Sequence, residues 1–434
     1  MDKRNEPKWI RNIRWRRYLR EWRVFLLQQS KAFLKWFVFS CIIGLLVGAA
    51  GAAFHHAIAY AEALRNAHGW LLILLPVIGA FIVFLYRVCG MERDRGTNFV
   101  LIAVRENEPM RLLTAPLIFI STVLSHLAGA SVGREGAALQ LGGAISSKIG
   151  RMMHLDEKDA RVVTMCGMAA GFSALFGTPL TAAVFAMEVV SVGVMYYAAV
   201  FPCMFGALLA HRVATLLGNV QPVYVLRDVP GVDLPTMLRI VALGCLCALL
   251  SIAICWALKG GARLYGRFLE SPYLRIAVGG CLVVLVTLMT GTRDYNGAGM
   301  DVIARAIGAQ ARPEAFALKI LLTTLSLGAG YKGGEILPVF FTGATFGCVM
   351  GALVGLPPSF GASLGMAATF CGVTNCPLSS ILLAYELFGG AGLPLFGLVC
   401  AVSYMLSGYT GLYSEQKIMY GKLRPEFIGR KIKH

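Results

Sequence analysis

Apolar runs long enough to cross a bilayer recur along the chain, and no other feature restricts its fold so tightly. Positions 37–60, 71–88, 196–217, 237–258 and 276–288 approach the roughly 20 apolar residues that span about 30 Å of hydrocarbon. Hydrophobic residues fill 57% of the 434 positions and charged ones only 15%, a balance that excludes an ordinary soluble globular chain. The expected class is an all-α polytopic membrane protein, in the cell membrane and crossing it many times.

The net charge of +17 gathers at the two ends: residues 1–36 hold eleven Lys or Arg against three acids, and positions 417–433 add a second basic run. Basic flanks beside apolar spans mark cytoplasmic segments, so no nucleic-acid partner is needed and both termini are expected in the cytoplasm. Residues 1–36 read as a basic amphipathic helix lying at the interface, and residues 421–434 as a basic tail. A cleavable signal is not expected, because the first thirty residues are charged and Trp-rich. The twelve cysteines stand singly, apart from Cys245 with Cys247 and Cys371 with Cys376, and form no CxxC pair. They read as buried thiols, with neither metal nor disulfide nor cofactor expected.

The chain also resembles itself. Ser131-Val-Gly133-Arg134-Glu135-Gly136 is followed by Gly177-Thr-Pro179-Leu and then Glu188; Tyr331-Lys332-Gly-Gly334-Glu335-Ile336 is followed by Asn375-Cys-Pro377-Leu and then Glu386. Glu135 and Glu335 are 200 positions apart, and in each half nine positions separate the proline from the later glutamate. Repeat one is assigned to 37–217 and repeat two to 218–420, its apolar part starting near 234. Many apolar pieces are short and broken by Gly or Pro, so they read as broken or re-entrant helices, which survive at membrane depth only where protein or a wet cavity covers them. Two glycine-rich breaks, each followed by a helix start, would meet near the midplane. Their free N–H groups and partial positive charge would cradle an anion there.

A carboxylate inside a membrane is costly and usually functional, which makes Glu135 the leading residue. Its side chain could fill the same N–H cradle as an anion and leave on protonation, coupling the two. A helix cap is the plainer role. Arg134 reads as a structural counter-ion, since a full charge in a pore would hold an anion too tightly. Glu335 is either a partner of Glu135 or a residue that pairs with Lys332 or caps its helix. Glu188 and Glu386 read as structural, at helix ends. His55, His56 and His126 read as satisfied core residues. A membrane enzyme using Glu135 with His126 finds no support in any hydrolase or metal motif.

These motifs resemble the CLC family of chloride channels and proton-coupled anion antiporters over about residues 37–420. Gly133-Arg134-Glu135-Gly136 is similar to its gate motif, with Ala137 in place of a proline; Gly334-Glu335-Ile336-Leu337-Pro338 stands where its Gly-x-Phe-x-Pro segment binds the central anion through backbone amides. The resemblance implies two inverted-topology repeats, a homodimer with one pore per subunit, an Ile336 amide on the anion, and a Tyr413 hydroxyl closing the inner side. Gly96-Thr97-Asn98-Phe99 replaces the segment whose serine binds chloride, and Val189 stands where chloride antiporters carry an inner glutamate. The segment from Tyr331 to Pro338 looks like the fluoride-exporting bacterial branch, in which Glu335 is a second pore glutamate and Phe99 turns a ring edge to the ion. Ile102 and Leu337 depart from that branch, which has a phenylalanine and a threonine there. The resemblance thus implies fluoride/proton antiport with Glu135 as gate and proton carrier. The alternative is a chloride/proton antiporter or a passive chloride channel on the same scaffold. The expected anion site comprises Gly96, Thr97, Asn98, Phe99, Gly133, Arg134, Gly136, Gly334, Ile336, Leu337 and Tyr413; halide, proton and lipid are the partners, and no enzymatic step is expected.

Overall fold

The computed structural model describes residues 8–92, 94–220, 224–226, 228–424 and 426–432. Positions 1–7 of the expected basic N-terminal segment and 433–434 of the expected tail lie outside the described residues.

The first half contains α1 (Lys8–Ala67), a 3-10 turn (Gly69–Leu74), α2 (Leu75–Val88), α3 (Thr97–Glu106), α4 (Thr114–Ala128), α5 (Glu135–Met152), α6 (Glu157–Phe176), α7 (Pro179–Glu188) and α8 (Val200–Leu216). The second contains α9 (Leu234–Phe268), α10 (Pro272–Thr290), α11 (Met300–Ile307), α12 (Ala315–Ala329), α13 (Ile336–Leu353), α14 (Pro358–Thr374), α15 (Pro377–Phe388) and α16 (Leu393–Leu406). The order repeats element by element. α4 and α12 are both 15 residues long, and α5 and α13 both 18.

Matching punctuation explains why both halves break alike. Left-handed Gly129 (φ 85°) ends α4 and Gly330 (φ 112°) ends α12; Gly177 (φ 70°) ends α6 and Asn375 (φ 59°) ends α14. A proline then opens α7 and α15, where its missing N–H costs nothing.

Among the described residues, six helices are long and apolar enough to cross a membrane; four of the five runs singled out in the sequence fall within them, and the fifth, 196–217, exceeds its helix Tyr197–Leu216 by one residue at each end. The helices most enclosed by others instead pack through small residues, as expected where lipid supplies no hydrophobic drive between helices. At Gly343 an added Cβ would stand 2.6 Å from the Gly365 carbonyl, so α13 and α14 need glycine to approach so closely. Between the halves Phe176 meets Phe340 and Phe185 meets Phe370, at ring separations of 5.7 Å and 5.8 Å, with Phe172 packed behind them on Phe176 and Phe185.

α1 runs through positions 36 and 37 without a break, so the basic segment and the first span form one rod. At 60 residues it is about 90 Å long, far more than a bilayer core. The tail carries one strand, β3 (Phe427–Lys431), which joins β1 (Ser191–Val192) of the first half and β2 (Lys417–Tyr420) in one sheet, with β2 parallel to β1 and antiparallel to β3.

Candidate functional site

The two glycine-rich breaks meet. Gly133 and Gly334 form an antiparallel bridge in which each amide donates to the other's carbonyl at 2.7 Å. An added Cβ on Gly334 would lie 2.6 Å from the Gly136 nitrogen, and one on Gly136 would lie 2.6 Å from Thr97 Oγ1. Glycine is therefore needed for proximity, not for its φ. The bridge sets the N-terminus of α5 against that of α13.

Glu135 opens α5 and is fully buried. Its Oε2 accepts from the Arg134 amide at 3.0 Å and from the Leu337 amide at 3.2 Å, while Oε1 has no partner among the described residues. A carboxylate of one repeat thus occupies the first turn of the other repeat's helix, where free amides and the helix dipole favour negative charge. The amide that reaches it is that of Leu337; the Ile336 amide singled out in the sequence lies one residue earlier.

Glu335 performs neither of its plainer roles. It stands at the N-cap of α13 without a capping bond, and Lys332 pairs instead with Asp94, Nζ to Oδ2, at 2.9 Å. Its Oε2 is buried and unpartnered among the described residues. Glu335 lines a cavity of about 440 Å³, shared with Asn98, Cys255, Lys259, Arg263 and Ser414. Tyr413 is buried, its hydroxyl without a partner among the described residues and within electrostatic reach of both Glu335 and Glu135.

The third segment comes from α3. Gly96 precedes it at φ 57°, ψ −140°, a conformation suited to glycine. Gln140 Nε2 donates to Thr97 Oγ1 at 3.4 Å, tying α3 to α5. Asn98 Oδ1 accepts from the Glu415 amide at 3.2 Å, tying α3 to the segment after Tyr413. Phe99 instead faces a second cavity of about 310 Å³, with Asp94, Arg95, Glu108 and Arg111. The site therefore gathers Thr97, Asn98, Gly133, Glu135, Gly136, Gly334, Glu335, Leu337 and Tyr413, and sets Phe99 apart.

Around it the structure supplies partners that local sequence does not reveal. Arg134 Nη1 meets His55 Nδ1 at 2.8 Å; His126 Nδ1 meets Glu62 at 2.9 Å, and its Nε2 lies 3.4 Å from the Gly133 carbonyl. Both histidines are satisfied. Glu188 accepts from the amides of Leu378 and Ser379 at the start of α15, and Glu386 accepts from those of Leu180 and Thr181 at the start of α7. Each short helix ends in the carboxylate that caps the other.

The family model for voltage gated chloride channels matches residues 78–408. A chloride/fluoride channel protein of Pseudomonas syringae pv. tomato is 36% identical over 397 residues, covering 89% of this chain and 87% of that protein. The voltage-gated ClC-type chloride channel ClcB of Salmonella typhimurium is 24% identical over 399 residues, covering 84% of this chain and 94% of that one. Among solved structures, a CLC-type fluoride/proton antiporter superposes with a TM-score of 0.86 at 32% identity, covering 89% of this chain and 98% of that one. A slow cyanobacterial Cl-/H+ antiporter shares the fold, with a TM-score of 0.72 at 19% identity. With a family model that spans both repeats and a relative this similar over most of its length, the chain belongs to the voltage-gated chloride channel, or CLC, family of membrane proteins.

Proposed function

We propose that the protein exports fluoride in exchange for protons, with Glu135 as gate and proton carrier and Glu335 as the second glutamate on the path. One observation carries this reading: Glu335, whose Oε2 is buried and without a partner among the described residues, lines an open cavity two residues before the Leu337 amide that Glu135 occupies. Ionised Glu135 competes with an anion for the Leu337 amide. Protonation removes its charge and frees that amide, and fluoride, a small and strongly hydrogen-bonding anion, takes its place. Glu335 passes protons between the cavity and this region, with the buried Tyr413 hydroxyl within electrostatic reach of both glutamates. The likenesses to a chloride/fluoride channel protein and to a fluoride/proton antiporter support the choice of fluoride.

The same reading includes a homodimer with one pore per subunit and a cell membrane location with both termini in the cytoplasm. Supporting the last point, Phe33 of α1 packs on Phe201 at 4.9 Å while Ser191, one short connection earlier, pairs with Lys417 of the C-terminal sheet. These contacts bring the entry to the first span and the C-terminal sheet toward one short segment, as a shared face for the two basic segments requires.

The test is efflux from proteoliposomes loaded with fluoride or with chloride, internal pH being followed, for the native chain and Glu135→Gln. Fluoride efflux with opposed proton movement, lost in the variant, is the expected result. Comparable chloride flux would move the protein to chloride/proton antiport, and anion flux without a proton signal would make it a passive channel.

A further inference from the structure

The Glu335 cavity carries two cations that the transport scheme leaves unused. Lys259 and Arg263 stand one helical turn apart on α9, and both line the cavity with Asn98, Ser414 and Glu335. Among the described residues neither lies within ion-pairing distance of a carboxylate, whereas Arg105, Lys332 and Lys431 near the site are each paired. Lys259 is half-buried beside Arg263, and among the described residues neither is held by an ion pair. Two further donors share the wall. Asn98 has its Oδ1 engaged by the Glu415 amide, and among the described residues its NH2 group has no partner. Ser414 adds a hydroxyl.

An uncompensated pair of cations on a concave wall of low dielectric concentrates anions at that wall. The apolar remainder, Leu258, Leu327 and Leu412 among it, removes competing solvent dipoles. Arg263 stays exposed to solvent, which keeps the attraction weak enough for an anion to leave again.

We propose that Lys259 and Arg263 form a docking site for a hydrated inorganic anion, the transported halide, at the mouth of the Glu335 cavity, and that this site sets the apparent affinity for anion entering from that side. The proposal rests on the transport reading above but not on its choice of fluoride. Lipid phosphate carries the same charge and is the competing occupant.

Initial efflux rates would be followed against internal sodium fluoride in phosphatidylcholine vesicles, at low and high sodium gluconate. The chains compared are the native one, Lys259→Gln/Arg263→Gln, and the charge-conserving Lys259→Arg/Arg263→Lys. The expected result is a half-saturating concentration raised about tenfold in the neutral pair, with maximal rate and proton coupling unchanged. The native value should climb with salt toward that of the neutral pair, which should itself ignore salt, and the charge-conserving pair should behave as native. Equal half-saturation in native and neutral chains at low salt would overturn the proposal. So would a loss of maximal rate alone, or an effect that appears only when anionic lipid is added, which would assign the pair to lipid headgroups. If the native chain moves chloride rather than fluoride, the same titration in chloride tests the dock, so the two readings fail separately.

Discussion

Lys332 lies three residues before Glu335, close enough in sequence to suggest a local ion pair, yet its ammonium reaches Asp94 and sits 4.3 Å from the ring centroid of Tyr86. Asp94 is two residues before Gly96, so this bond ties the loop that opens α3 to the loop that opens α13. Removing one member of such a pair strands a charge, at a cost of about 3 kcal/mol. Asp94→Asn or Lys332→Met should therefore lower the thermal unfolding midpoint in detergent and slow transport together. The double variant should recover much of the midpoint, because no charge is left unpaired. A crowding argument applies to Gly334→Ala, whose methyl would press on the Gly136 nitrogen 2.6 Å away. That bridge would have to open, so anion efflux should fall at least about tenfold, since displaced amides no longer meet the ion. Glu135 and its glycine neighbours were legible in sequence because a carboxylate between glycines in an apolar chain has few other uses. Leu337 was named for the site as well, but that its amide rather than that of Ile336 reaches Glu135 was not legible, since which amide points at a neighbour depends on the helix start.

Among the elements, the short helices α7 and α15 show how a broken helix is completed at membrane depth. Glu386 accepts from two amides of α7 at 2.8 Å and also from Thr181 Oγ1 at 2.7 Å; Glu188 does the corresponding service for α15. Charged caps of this kind contribute about 1–2 kcal/mol. Glu386→Gln should thus lower the unfolding midpoint while leaving the ratio of fluoride to chloride flux as in the native chain, because α7 starts away from the Glu335 cavity. Sequence indicated both glutamates as helix-end residues through their equal spacing from Pro179 and Pro377. It could not pair them across the repeats, since a local pattern says nothing of contacts some 200 positions apart.

The C-terminal sheet is tied down by a carboxylate outside the spans. Glu415 meets Lys431 at 2.6 Å and Arg105 at 3.3 Å. The Lys431 hydrogen bond is the main cause holding its carboxyl below the ordinary value of 4.5, against some desolvation and with help from Arg105. A depressed folded value means that the stabilisation is present above 4.5 and lost as pH falls through the folded value. Protease added to detergent-purified protein should therefore spare β3 at neutral pH and release it in acid, and Glu415→Gln should show the acid pattern already at neutral pH.

For the whole molecule, the repeat was the most legible property and its geometry the least. Equal spacing of Gly133-Arg134-Glu135-Gly136 and Gly334-Glu335-Ile336-Leu337 announced two like halves, because a repeated helix-break-helix needs the same residues twice. Where each half stood relative to the other came from the structure, through the Gly133–Gly334 bridge, the phenylalanine contacts and the exchanged glutamate caps between them. The unbroken α1 also escaped the sequence, because a change from basic to apolar composition near position 36 looks like a boundary even when the backbone continues. Orientation can be argued from the assembled fold. Phe33 of α1 packs on Phe201, β1 precedes Phe201 by a short connection, and β1 holds β2, an arrangement that fits the proposal that the two basic segments share a face. Positive flanks are retained on the cytoplasmic side, so the proposal that both ends lie there carries with it that the Glu335 cavity, lined by Leu412 and Ser414 near the C-terminal sheet, opens to the cytosol. Epitope tags at either terminus should then resist protease added to intact cells and be cut only after permeabilisation. If one tag were cut and the other spared, the ends would lie on opposite faces. If both were cut in intact cells, the cavity with Lys259 and Arg263 would face outward, and the pair would collect anions for uptake rather than export.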